Sequence, residues 1–175
     1  SKLLARRKDG DCVGFVIHNV QGGGIVASRT ESAHGMADGV VDHTRRLSFS
    51  PDGAFLAFAA RSEASDSGMN KIFVYDAPMF QKLRAIGCDV LVDFAFSPDC
   101  RCIVTLCRNG SVVLHDVRSG DEVRRFDGPK VGDFGTIAFA LHGALLAVCG
   151  RDKDEVTIWQ LADGTCLQTL KVPLS

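Results

Sequence analysis

Leu47-Ser48-Phe49-Ser50-Pro51-Asp52-Gly53 decides how this chain folds, because the stretch returns. It recurs 47 residues on as Phe94-Ala95-Phe96-Ser97-Pro98-Asp99-Cys100, and after another 43 as Ile137-Ala138-Phe139-Ala140-Leu141-His142-Gly143. Each copy carries alternate apolar residues over a short strand, and the first two stop at a Pro-Asp turn. A self-similar period in the forties marks a repeat array, in which each repeat is one supersecondary unit.

Working outward, each copy opens a set of four strands. The first set spans Arg45–Phe49, Ala54–Ala60, Lys71–Tyr75 and Gln81–Ile86, with the polar stretch Ser62–Asn70 as its long loop. The second spans Val90–Phe96, Ile103–Cys107, Val112–His115 and Glu122–Phe126, and Asn109-Gly110 is a strong hairpin signal within it. The third spans Gly135–Phe139, Ala144–Cys149, Val156–Trp159 and Cys166–Leu170, turning at Asp163-Gly164. Residues 1–28 read as a set without its first strand: Leu3-Leu4-Ala5, Phe15–Asn19 and Ile25-Val26-Ala27, broken by Gly22-Gly23-Gly24. Residues 29–41 are polar and aperiodic and read as a loop. No stretch of ten or more residues has a helical period, so the chain is expected to be all-β.

Composition narrows the class. At 175 residues the chain is expected to form one domain that buries roughly 70% of its unfolded surface. Its 20 basic and 21 acidic residues leave a net charge of −1, which argues against a general nucleic-acid binder. Seven cysteines, with no C-x-x-C pair, sit mostly in or beside apolar runs and read as free thiols of a reducing compartment. Ser1 to Lys8 has basic residues but no apolar run behind them, so no signal peptide is expected. The longest apolar-rich run, Ile137–Cys149, is short of the roughly 18 residues of a membrane span. These features predict an intracellular, cytoplasmic protein, with a nuclear or cytoskeletal complex as a variant of that setting.

A strand, Ser-Pro-Asp-Gly, a second strand, a tight turn, and an aliphatic third strand ending at a Trp-Asp place resemble the WD40 repeat. Tyr75-Asp76, His115-Asp116 and Trp159-Gln160 take the Trp-Asp place, and His18-Asn19 takes it in the first set. The resemblance covers residues 42–171 well and 1–28 partly. It implies a β-propeller of four-stranded antiparallel blades, with roughly 40–45 residues per repeat. The blades would be 42–86, 87–127 and 128–175, with a partial blade at 1–28, all in one propeller domain. It also implies a segment of a larger, seven-bladed propeller, or a small propeller closed by a second copy or a partner strand.

The family's Gly-His is missing, with Gly87-Cys88 and Gly128-Pro129 near its place. Thr105 and Asn109 are the traces of its hydrogen-bond network, and Trp159 alone keeps the Trp. A propeller type of periplasmic and peptidase-linked proteins also uses Ser-Pro-Asp-Gly, and the 42–86 unit fits either.

No catalytic set assembles. His18 and His115 occupy packing positions, and His142 replaces a turn residue. His34 and His43 lie in or beside the 29–41 loop without a third ligand or a nucleophile. No nucleophile elbow, phosphate-binding loop or zincin motif occurs. No enzyme activity, metal or cofactor is therefore expected.

One feature recurs. Arg61, Arg108 and Arg151 each lie twelve residues after the repeated Phe, and Arg6, Arg7 and Lys8 stand at about the same place in the first unit. Asp42 and Asp89 lie seven residues before that Phe, and Asp133 six before. Both sets fall at the ends of strands on one face, which the resemblance makes a binding face. The expected function is a protein-interaction scaffold taking acidic or phosphorylated segments of other proteins, with no membrane and no nucleic acid involved. The alternative for the Arg set is a rim of surface ion pairs worth about 0–1 kcal/mol each. The alternative function is the propeller domain of a hydrolase or translocation protein, gating chemistry elsewhere.

Overall fold

The computed structural model describes residues 2–9, 12–19, 24–32, 46–61, 70–128, 131, 135–150 and 155–171. For residues 2–9, 12–16, 18, 19, 26, 27, 29–32, 60 and 61 it describes the backbone alone. Among these residues all regular structure is strand, apart from one 3₁₀ turn at Leu141–Gly143.

The strands form four sequential antiparallel sheets. The first holds β1 (Lys2–Asp9), β2 (Cys12–Asn19) and β3 (Ile25–Ser32). The second holds β4 (Leu47–Phe49), β5 (Phe55–Arg61), β6 (Asn70–Asp76) and β7 (Lys82–Cys88). The third runs β8 (Leu91–Phe96), β9 (Cys102–Cys107), β10 (Ser111–Asp116) and β11 (Glu122–Asp127). The fourth runs β12 (Gly135–Ala140), β13 (Leu145–Gly150), β14 (Glu155–Gln160) and β15 (Thr165–Lys171). Within each sheet the strands pair in chain order. Three full four-stranded blades and one of three strands are thus in place, as the repeats predict.

The Ser-Pro-Asp turn explains why the motif recurs. Ser50 Oγ donates to Asp52 Oδ1 (2.5 Å) and accepts from the Phe55 N–H (2.9 Å). Ser97 does the same with Asp99 (2.5 Å) and the Cys102 N–H (2.9 Å). Asp52 and Asp99 accept in turn from the N–H groups of Ala54 and Arg101. The fourth residue after the repeated Phe has positive φ in every copy: Gly53 at 73°, Cys100 at 61° and Gly143 at 94°. The third copy has neither Ser nor Asp, and its chain reverses through the 3₁₀ turn with Leu141 and His142 also at positive φ.

Apolar residues meet in the seams between sheets. Ile17 of β2 packs with Leu56, Phe58, Phe73 and Tyr75 of the second sheet. Ile72, Val74 and Ile86 pack with Phe94, Ile103 and Cys107 of the third. Val104, Leu106 and Val112 pack with Ile137, Leu146 and Val148 of the fourth.

One irregularity fixes the repeat register. Pairing of the third strand with the fourth slips between Ile17 and His18, Val74 and Tyr75, Leu114 and His115, and Ile158 and Trp159. The positions aligned from sequence are therefore equivalent in the backbone of all four sheets. Tyr75 and His115 are buried, whereas Trp159 is half-buried against Phe126, with ring centroids 5.3 Å apart. The His18 side chain lies outside the described residues, as do His34 and His43.

One detail departs from the sequence reading. β3 continues to Ser32, so residues 29–32 are strand rather than loop. Their backbone pairs with Phe15, Gly14, Val13 and Cys12, and an outermost strand needs no apolar alternation; β15 is exposed along its whole length. Thr105 and Asn109, the traces of the family's network, each bond close by. Thr105 Oγ1 donates to the Val113 carbonyl (3.3 Å), and Asn109 Oδ1 takes the N–H (2.9 Å) and hydroxyl (2.8 Å) of Ser111.

Candidate functional site

The recurring cations can be placed by register. In each sheet the third-strand marker pairs with one second-strand residue: His18 with Leu3, Tyr75 with Leu56, His115 with Ile103, and Trp159 with Leu146. Five residues beyond each partner stand Lys8, Arg61, Arg108 and Arg151. A cation thus occupies one equivalent position in all four repeats. Arg6 and Arg7 lie just before it in β1.

In the third sheet that position directly follows the second strand, at the edge where the first strand starts, as the pair Leu91–Cys107 shows. The Arg108 N–H donates to the Val90 carbonyl (2.8 Å), tying the two strand ends together beside Asp89. Asn70 Nδ2 holds the Asp89 carbonyl (2.9 Å) from β6. Arg108 and Asp89 are both exposed. The side chains of Arg6, Arg7, Lys8 and Arg61 lie outside the described residues, and so do the whole of Asp42, Asp133 and Arg151.

The sequence reading missed a second set of equal positions. Arg46, Asp93 and Thr136 each lie three residues before the repeated Phe. Asp93 is buried in β8, at the register slip between Leu91 and Asp93. Its carboxylate pairs with the Arg46 guanidinium just ahead of β4. It also accepts from Thr136 Oγ1 (2.9 Å) and the Ile137 N–H (3.0 Å) of β12, and from the Phe94 N–H (2.8 Å). One carboxylate therefore stitches the inner strands of three sheets. Carrying the repeat alignment to every position, not only to the motif, would have revealed it.

A cavity of about 170 Å³ lies at the seam between the second and third sheets, lined by Gly87, Cys88, Asp89, Cys107, Val113, His115 and Arg125. His115 is only 6% exposed, and neither ring nitrogen makes a hydrogen bond. Burial lowers its pKa and outweighs the opposing pull of Glu122 and the Gly120 backbone. Burial likewise raises the pKa of the Cys88 and Cys107 thiols, helped at Cys88 by the neighbouring Cys107 and Asp89. Arg125 is held by Glu122 at 2.7 Å.

Among the described residues, no three His, Cys, Asp or Glu side chains are placed to hold a metal ion. Among the same residues no helix is long and apolar enough to cross a membrane. No protein-family profile matches the chain, and no curated protein matches it at a significant level.

Proposed function

We propose that the chain is a WD40-like protein-binding scaffold whose cation-bearing edge takes an acidic or phosphorylated segment of a partner protein. The observation that supports this is the cation at one register position of all four repeats. Packing in the seams does not call for a charge at the end of a second strand. Arg suits anionic segments because its planar fork holds a carboxylate or phosphate through two hydrogen bonds. Asp89, with Asp42 and Asp133 at neighbouring repeat positions, would orient the guanidinium groups and repel anions arriving out of register. A complex inside the cell agrees with the free thiols of the six cysteines whose side chains are described.

The test is capture of partners from cell lysate by the wild-type chain and by the Arg108→Glu, Arg151→Glu double variant. A substitution at exposed Arg108 changes stability by about 0.5 kcal/mol or less, so the variant is expected to melt near the wild-type temperature while losing its partners. A folded double variant that keeps every partner would reduce these cations to rim ion pairs and refute the reading.

A further inference from the structure

We propose that the cavity between the second and third sheets receives an indole or phenol ring, presented as a Trp or Tyr side chain by the docking protein segment. This rests on the protein-binding reading above.

The next seam shows what belongs in such a space. Trp159 stacks on Phe126, and its Nε1–H donates to Thr157 Oγ1 (2.9 Å), two residues back along β14. The ring therefore extends from its own position over that of Thr157. The equivalents one repeat earlier are His115 and Val113, and both line the cavity. Phe126 pairs with Val112 as Ile86 pairs with Ile72, so Ile86 stands where the stacking partner would be. A Trp–Phe seam has become a His–Ile seam, and the space left open is what the indole fills next door.

Size and chemistry fit one aromatic ring. A cavity on the order of 150 Å³ accepts benzene, close to the 170 Å³ here. Val113, Gly87 and the thiols of Cys88 and Cys107 give soft, mainly apolar walls, and sulfur favours contact with aromatic rings. The unpaired imidazole adds the specific element. A buried polar group without a partner costs free energy, and a neutral imidazole offers one N–H donor and one acceptor nitrogen. An indole N–H or a phenol O–H would satisfy the acceptor, which a plain hydrocarbon ring would not. Asp89 and Arg125, both exposed, stand at the mouth. Asp89 sits beside the turn that carries Arg108, so a segment lying along the cationic edge passes the opening.

The experiment titrates the full chain with indole, p-cresol, benzene and acetate while the His115 ring resonances are followed by NMR. Indole and p-cresol should shift them saturably, with benzene weaker and acetate without effect. The shift should be lost in Val113→Met, which fills the space from the same strand and keeps the His115 probe, and binding should likewise be lost in His115→Trp, which fills it as Trp159 does and is followed through its backbone amide resonances. Absence of saturable binding by both ring compounds, equal binding to the filled variants, or preference for acetate would overturn the proposal and leave a water-filled cavity. A second arm separates it from the edge reading. Filled variants should lose the partners that the Arg108→Glu, Arg151→Glu variant loses. If they keep those partners while the Arg variant loses them, the aromatic site fails and the scaffold reading stands.

Discussion

His115 illustrates how one side chain ties stability to pH. Its folded pKa lies below the ordinary 6.5 because burial disfavours the imidazolium. The unfolded chain therefore takes up the proton first as pH falls. The stabilisation is complete above about pH 6.5 and shrinks progressively below it, towards the lower folded value. Glu122, Arg125 and Asp89 are the charged groups facing this ring or its cavity. The pKa of Glu122 and that of Asp116 are lowered, so their own contributions fade only at more acid pH. Urea midpoints measured from pH 7.5 to 5.5 should fall in the wild type and fall less in His115→Gln; equal slopes would show that the ring is not buried neutral. The marker residues also rank by burial. Tyr75, 1% exposed and packed on Phe58, should cost about 3–5 kcal/mol when cut to Ala, whereas half-buried Trp159 should cost about 2–3. Chemical denaturation of both variants checks the order. Sequence assigned packing positions to His115 and Trp159 alike, and His115 is buried while Trp159 is half-buried; how deep each sits depends on the neighbouring sheet, which one residue's identity does not reveal.

At the scale of elements, the turns carry the most legible information. Ser-Pro-Asp was readable because it has a local job: Ser and Asp bond backbone N–H groups only a few residues away. Cys100 was readable as a substitution for Gly, and its φ of 61° makes it a strained one. Cys100→Gly should raise stability by about 0.5–1 kcal/mol by removing the Cβ from a left-handed backbone. Thermal unfolding checks this, and a destabilised variant would mean that the side chain has a packing role. The continuation of β3 to Ser32 was not legible, because an exposed outer strand is specified by backbone pairing and leaves little pattern in its side chains.

At the scale of the molecule, the repeat period predicted four sheets in series but not what joins them. Leu91-Val92-Asp93-Phe94 reads as an apolar strand with one misplaced acid. Its meaning lies in residues 47 positions before and 43 positions after it, Arg46 and Thr136, which stand at the same repeat position. The cationic edge rests on the same equivalence, so the measurement that matters most is whether equal positions meet across a seam. A double-mutant cycle on Arg46→Ala and Asp93→Ala, read by denaturant unfolding, tests that contact directly. Arg46 is 43% exposed, which moderates the pair. The stacked sheets predict a coupling of about 1–2 kcal/mol, while coupling below about 0.3 kcal/mol would contradict the contact and the repeat register built on it.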